Sequence, residues 1–231
     1  MKVLKSFKQY IQWDESFKAQ SILAVLSNIE YHMTYPERFL KNDPTSTVVV
    51  IEVDGQKWVI KRANTKGILH CIRRAFLPSR AFKNWNNAKK LLSMGIDTMQ
   101  PIALLEERWG IIRGRSYFIS NYIEGLDALH FFACGAKPNH LWQSAAENIC
   151  NMMKKLAAHR VSHRDLNLSN ILICSQQKPF LIDLDAMCQY KWHVLAKRAA
   201  MKERKRFMEN WSEAPNVHEQ AEQLFSRLLQ N

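Results

Sequence analysis

The sequence has little that would support a metal or disulfide framework, and it has no long apolar segment. Its five cysteines are scattered, without any C-x-x-C pair. We therefore expect neither a zinc site nor disulfide bonds, and a reduced, cytosolic setting. No run approaches the roughly 18 apolar residues of a membrane-spanning helix. The first residues, MKVLKSFKQYIQWDES, lack the apolar stretch of a signal peptide, so none is expected.

Acidic residues are missing from one long window. Between Gly55 and Ile96 the chain has ten Lys or Arg residues and no Asp or Glu. The ten are Lys57, Lys61, Arg62, Lys66, Arg73, Arg74, Arg80, Lys83, Lys89 and Lys90. Together with the net charge of +12, this imbalance predicts an anionic substrate or an anionic membrane surface as partner. Nucleic acid is not expected as a partner, because no RNA-binding motif or recognition helix is visible.

Two stretches in the first half predict regular structure. The β-branched runs of TVVVIEVDGQKWVIKR flank Asp54-Gly55, a strong hairpin signal that places Lys61 near the end of the second strand. SRAFKNWNNAKKLLSMGID has apolar residues at helical spacing, with Gly95 as a C-terminal cap. Before them, apolar residues within 1–40 indicate packed structure: Trp13, Ile22, Leu23, Val25 and Leu26.

The later part predicts a strand, a long helix, a loop and a second hairpin. The strand is 116–125, ended by Gly125, and the helix runs from His140 to Ala158 with an apolar stripe. The hairpin ILIC-SQQKP-FLID follows the loop, and a helical tail ends the chain.

The loop between the long helix and this hairpin has the spacing H-x-D-x-x-x-x-N, typical of the protein-kinase catalytic loop. A hairpin would bring Asn170, before its first strand, beside Asp183, at the end of its second. Their hard oxygen atoms suit Mg²⁺. Asp165 would orient the acceptor hydroxyl and take its proton, and Lys61 suits the α- and β-phosphates. Asp185, at i+2 on a strand, would share a face with Asp183 and either bind the same metal or serve as a turn carboxylate.

Two parts of a standard kinase are missing. The lysine strand is preceded by LKNDPTSTVVV rather than G-x-G-x-x-G, so the hydroxyls and amides of Thr45, Ser46 and Thr47 are the candidates to cover the phosphates. The helix after Lys61 has no glutamate to pair with it. Asn84, Asn87 or a carboxylate from elsewhere could hold Lys61 instead.

Only 46 residues follow Asp185, and no A-P-E segment is among them. This leaves little room for the activation segment and peptide groove of a protein kinase. A small or sugar acceptor fits better.

Five stretches together resemble the lipopolysaccharide kinase family (Kdo/WaaP, InaA-like), from about Leu40 to Trp211. They are the segment from KRANTKG to EERWG, RSYFISNYIEG, HRDLNLSN, LIDLDAM and RFMENW. The resemblance implies a two-lobed, α+β, protein-kinase-like fold, with a mainly antiparallel N-lobe at about 40–122 and a mainly helical C-lobe at about 126–231. Residues 1–39 would be an extension or part of the N-lobe, within a single domain of 1–231.

The same resemblance implies ATP and Mg²⁺, and phosphorylation of a heptose or Kdo hydroxyl in the lipopolysaccharide core. The acceptor would be the core or a lipid-linked sugar, met at the cytoplasmic face of the inner membrane by a peripheral protein. Carried over by position, Asp165 is the base, Asn170 and Asp183 bind the metal, and Lys61 binds phosphate. The resemblance does not imply an oligomeric state.

Two other interpretations stay open. One is a small atypical serine/threonine protein kinase of the RIO type, which has a similar size. The other is a pseudokinase regulator at the membrane, favoured by the absent glycine loop and helix glutamate. The intact Asp165, Asn170 and Asp183 oppose it.

Overall fold

The computed structural model describes residues 1–64, 77–133, 139–212 and 219–230. The chain divides into two compact units, each described here by itself. The first comprises Met1–Lys90 and Met99–Tyr122, and the second Leu91–Thr98 and Ile123–Asn231. The first is mainly antiparallel sheet and the second mainly helical, as the sequence predicts for an α+β fold.

The secondary structure elements are named here in chain order. The strands are β1 (Lys2–Lys5), β2 (Gln9–Trp13), β3 (Arg38–Asn42), β4 (Ser46–Val53), β5 (Gln56–Ala63), β6 (Pro101–Trp109), β7 (Ile112–Asn121), β8 (Leu126–Asp127), β9 (Val161–Ser162), β10 (Ile171–Ile173), β11 (Pro179–Leu181) and β12 (Cys188–Gln189). The α-helices are α1 (Ala19–Ser27), α2 (Ile29–Thr34), α3 (Arg80–Ser93), α4 (Ala128–Ala133), α5 (Asn139–Ala158), α6 (His193–Ser212) and α7 (Glu219–Gln230).

The first unit is built on a seven-stranded antiparallel sheet in the order β1-β2-β6-β7-β5-β4-β3. The predicted β4–β5 hairpin is confirmed, with Val53 paired to Gln56. Asp54 and Gly55 have φ of 51° and 74°. A type I′ turn requires such positive values at both central residues, so the Asp-Gly sequence explains the hairpin.

Helices α1 and α2 cover one face of this sheet. Ile22, Val25, Leu26, Ile29 and Met33 form one buried cluster with side chains of the sheet. Burying each such side chain contributes about 1.5–3 kcal/mol. The predicted packing of the N-terminal residues is therefore confirmed, except that Leu23 is exposed.

Helix α3 ends where its sequence predicts, and Ser79 caps its start, which was not predicted. The Ser79 hydroxyl accepts the Phe82 N–H at 3.0 Å, which satisfies a donor of the first turn. At the other end Gly95 has φ of 67°, and Ile96 N–H donates to the Leu91 carbonyl at 3.0 Å. This arrangement is the Schellman cap, so Gly95 is confirmed as the cap residue.

The predicted strand 116–125 is shifted in the structure. Strand β7 begins at Ile112 and ends at Asn121, whose side chain accepts the Gln100 N–H at 2.6 Å. Gly125 lies beyond the strand. A Cβ atom there would lie 2.7 Å from the Ile173 carbonyl oxygen, so only glycine lets the chain pass so close to β10. The strands that were not predicted are β1, β2, β3, β6, β8, β9 and β12.

The second unit is built around α5. Its predicted apolar stripe is confirmed as core, with Trp142, Ile149, Met152 and Leu156 buried. Three fully buried phenylalanines pack α4, α6 and α7 together. The ring of Phe225 in α7 lies 5.5 Å from that of Phe132 in α4 and 5.4 Å from that of Phe207 in α6. Within the described ranges, no helix is both long and apolar enough to cross a membrane.

Candidate active site

The predicted hairpin after the H-x-D-x-x-x-x-N loop is present. Strands β10 and β11 pair antiparallel, with Ile171 opposite Leu181. The Ile182 N–H donates to the Asn170 carbonyl at 3.0 Å, which extends the ladder by one pair. Asn170 therefore lies opposite Ile182, and Asp183 is the next residue. The hairpin brings both predicted metal ligands to its open end.

Asn170 is also bound to Asp165. Its Nδ2 donates to the Asp165 carbonyl at 2.8 Å and lies 3.5 Å from the Asp165 carboxylate. The Asp165 side chain is exposed, as a base that meets an external hydroxyl must be. The structure thus brings Asp165 and Asn170 into direct contact.

Asn167 holds this arrangement and was missed by the sequence analysis. It caps the short 3-10 turn Leu168–Asn170, its Oδ1 accepting the Asn170 N–H at 3.0 Å and the Ser169 hydroxyl at 2.7 Å. An Asn three residues before another turn residue is a capping signal, so this contact could have been predicted from the sequence.

His163 links the loop to the segment after β11. It is fully buried, and its Nε2 donates to the Ile182 carbonyl at 2.9 Å. Burial lowers the pKa of this imidazole, which favours the neutral ring. A neutral ring bonded in this way fixes the distance between the loop and the residue before Asp183.

Glu203 of α6 anchors the same loop from the other side. Its Oε1 accepts the Arg164 N–H at 2.6 Å and the Ser162 hydroxyl at 3.2 Å. Burial raises the pKa of this carboxyl. Arg164 has φ of 68°, a conformation that is uncommon for a residue with a side chain and must be held by its surroundings. Glu203 was missed, although it is the single acid of the KRAAMKERKRF segment.

The expectation for Asp185 was partly wrong. Strand β11 ends at Leu181, Asp183 is in the left-handed region with φ of 59°, and Asp185 lies in the 3-10 turn Leu184–Ala186. The two carboxylates therefore do not share a strand face. Across the described ranges, no three His, Cys, Asp or Glu side chains are grouped as a metal site. A magnesium site would use the oxygens of Asn170 and Asp183, which fit the ion in donor type.

Lys61 lies in the first unit. It is half-buried in β5, paired with Val48 of β4 and Phe118 of β7. Asn84 of α3 is buried, and its Nδ2 donates to the Arg80 carbonyl at 3.0 Å. Whether Asn84 or Asn87 holds Lys61 stays a prediction.

Thr45, Ser46 and Thr47 lie at the neighbouring end of β4, where Thr47 pairs with Arg62. The carboxylate of Asp43 accepts the Thr45 hydroxyl at 2.6 Å, the Thr45 N–H at 2.7 Å and the Ser46 N–H at 2.8 Å. These bonds hold the pKa of Asp43 well below its usual range. The hydrogen bond from the Thr45 hydroxyl makes the largest contribution to this lowering of the pKa. Phosphate binding by these three residues stays a prediction, and at Thr45 and Ser46 it would require Asp43 to leave their donors.

The segment between Gly55 and Ile96, which has ten basic residues and no acidic ones, is partly neutralised by acidic residues outside it. Ion pairs join Lys57 to Glu37 at 2.9 Å, Arg62 to Glu30 at 3.0 Å, and Lys89 to Asp14 at 2.7 Å. Three others, Lys66, Arg73 and Arg74, lie outside the described residues.

An antiparallel unit with a lysine on a central strand, and a helical unit with Asp165, Asn170 and Asp183 around one hairpin, define a kinase-like α+β protein. Comparison with known families agrees, because residues 41–226 match the lipopolysaccharide kinase (Kdo/WaaP) family. The match spans most of the chain, so the protein belongs to this family.

Two curated relatives are both 3-deoxy-D-manno-octulosonic acid (Kdo) kinases. The protein from Vibrio cholerae serotype O1 is 24% identical over 146 residues, or 57% of this chain and 60% of the relative. The protein from Photobacterium profundum is 25% identical over 91 residues, or 39% of this chain and 37% of the relative. The chain thus matches less than two thirds of the length of either relative.

Proposed function

We propose that the protein is an ATP- and Mg²⁺-dependent kinase that phosphorylates a sugar hydroxyl, heptose or Kdo, of the lipopolysaccharide core. The contact between Asn170 and Asp165, at the end of the hairpin that presents Asp183, is the observation that supports it most directly. A base and two metal-binding oxygens at the open end of one hairpin are what phosphoryl transfer requires.

Each residue has a distinct part in the proposed reaction. Asp165 accepts the proton of the acceptor hydroxyl while the hydroxyl oxygen forms a bond to the γ-phosphorus of ATP. The bond between the γ-phosphorus and the bridging oxygen of the β-phosphate breaks, which releases ADP. Asn170 and Asp183 would hold Mg²⁺, which when bound neutralises charge on the phosphates. Lys61 would contact the α- and β-phosphates.

The acceptor is inferred from the family and from its relatives. Membership in the lipopolysaccharide kinase family supports a saccharide acceptor. Both curated relatives act, by their names, on Kdo, which favours Kdo over heptose.

Peripheral contact with the cytoplasmic face of the inner membrane is part of this proposal. Val194, Arg198 and Met201 lie at i, i+4 and i+7 of α6, and all three are exposed. Apolar and basic side chains on one helix face suit an anionic lipid surface. Sedimentation with vesicles that contain anionic lipid is the check, and absence from the pellet at low salt would contradict this placement.

The transfer itself is tested with purified protein, Mg-ATP and dephosphorylated core oligosaccharide, followed by mass spectrometry. We expect addition of phosphate to the oligosaccharide and at least about a hundredfold slower addition with Asp165→Ala. Because Asp165 is exposed, the variant should keep the melting temperature of the wild type. Phosphate transfer to protein serines but to no sugar would instead favour the small protein kinase. ATP binding without any transfer would favour the pseudokinase.

A further inference from the structure

A cavity of about 200 Å³ lies beside the candidate base, within the second unit. Arg164 and Leu166, the two neighbours of Asp165, both line it. Its other walls come from α6 and from Ser162 and Tyr190. Whole small-molecule sites usually exceed about 300 Å³, so this cavity has room for one group of a ligand rather than for a nucleotide.

Three cations line the cavity: Arg164, Lys202 and Arg206. Among the described residues, none of the three forms an ion pair with a carboxylate, whereas several cations elsewhere do. Arg206 donates to the Arg164 carbonyl at 3.0 Å, which ties the two residues together. Clustered cations that outnumber the nearby carboxylates raise the local concentration of anions.

Glu203 is the carboxylate of the same cavity. Its Oε1 is already occupied by the Arg164 N–H and the Ser162 hydroxyl. One carboxylate faces three cations, so the cavity remains positive even when Glu203 is ionised. The same carboxylate therefore shapes the loop without cancelling the charge of the cavity.

We propose that this cavity binds an anionic group of the acceptor saccharide, a carboxylate or a phosphate, and so selects the hydroxyl that reaches Asp165. The proposal rests on the proposed function. Arg164 and Leu166 flank Asp165 in the chain, with neighbouring Cα atoms about 3.8 Å apart, so the cavity lies next to the loop segment that carries the candidate base. Guanidinium groups bind carboxylate and phosphate with two parallel hydrogen bonds, which orients a sugar as well as retaining it.

The test compares two lysines of α6. Lys202→Gln removes a cation from the cavity wall. Lys205→Gln removes the same charge from the same helix, where Lys205 lies 3.7 Å from Glu209 and does not line the cavity. With a Kdo-containing core oligosaccharide, we expect Lys202→Gln to raise the acceptor KM about tenfold. The KM for ATP should not change, and Lys205→Gln should behave as the wild type.

Modified acceptors identify the source of the anion. If it is the sugar carboxylate, reduction of that group to an alcohol raises the wild-type KM about as much as Lys202→Gln, with no further rise in the variant. If it is a core phosphate, enzymatic dephosphorylation of the acceptor has that effect instead. Equal KM values for Lys202→Gln and Lys205→Gln with every acceptor would overturn the cavity proposal.

Calorimetric titration of the oligosaccharide into the protein without ATP measures acceptor binding separately from phosphate transfer. It therefore distinguishes failure of the cavity proposal from failure of the proposed kinase. Transfer that does not depend on Lys202 leaves the proposed kinase intact and removes the cavity. Lys202-dependent binding without any transfer retains the cavity and contradicts the kinase. The absence of both binding and transfer contradicts the cavity and the kinase together.

Discussion

Lys61 and Asp165 are positioned in different ways. Lys61 belongs to a regular sheet, where backbone ladders to β4 and β7 fix its strand on both sides. Asp165 belongs to an irregular loop, which side chains hold in place. The Asn170 side chain donates to the Asp165 carbonyl, and the Glu203 carboxylate accepts the Arg164 N–H. The sheet positions its residue through many equivalent bonds, whereas the loop depends on a few that differ from one another.

This difference predicts where each region is sensitive. A substitution in β5 removes a side chain and leaves the ladder in place. A substitution of a residue that supports the loop removes a bond that no neighbour replaces, and it acts on Asp165 from a distance.

After the candidate base itself, the largest effect is expected at Lys61. Lys61→Met should lower kcat/KM for ATP about tenfold to a hundredfold, because one charge-assisted contact to phosphate is lost. The melting temperature should stay close to that of the wild type. Lys57→Met is the matched control, because Lys57 is four positions from Lys61 and so lies on the same face of β5. Its charge is paired with Glu37. Equal kinetics for the two variants would remove Lys61 from the phosphate site.

A smaller kinetic effect, with a stability cost, is expected at Glu203. Glu203→Ala leaves the Arg164 N–H and Ser162 hydroxyl without their acceptor, so kcat should fall about tenfold and unfolding should require about 1–3 kcal/mol less. Glu203→Gln keeps an acceptor oxygen and should recover most of the kcat. Steady-state kinetics and urea denaturation measure both quantities, with Glu209→Ala as the control on α6. If the kcat of Glu203→Gln were no higher than that of Glu203→Ala, the anchoring role of Glu203 would be contradicted.

The smallest effect is expected at Asn167. Asn167→Ala removes the cap of the turn before β10 and should cost about 1 kcal/mol of stability. Ser169→Ala removes only the hydroxyl that donates to the same Asn167 oxygen, and it should cost less. The comparison is made by urea denaturation. Equal costs would show that the cap does not hold Asn170.

Local signals were enough to predict several elements. The Asp-Gly turn, the Gly95 cap of α3 and the short arms around Ser175–Gln177 each depend on residues close together in the chain. The candidate base and amide could be predicted for the same reason, because Asp165 and Asn170 are five residues apart.

Contacts between distant residues could not be predicted in this way. Strand β2 pairs with β6, which follows it by some ninety residues, and no spacing in the sequence indicates such a partner. The bond from Arg164 to Glu203 joins residues 39 positions apart. Asp185 was misplaced because the strand was extended past Leu181, where the left-handed Asp183 turns the chain.

The most direct test of the central claim is analysis of lipopolysaccharide core from a strain that lacks this protein. We expect the core to lack one phosphate, restored by the wild-type gene and not by one that encodes Asp165→Asn. A core with unchanged phosphate content in the deletion strain, or restoration by the Asp165→Asn variant, would contradict the account.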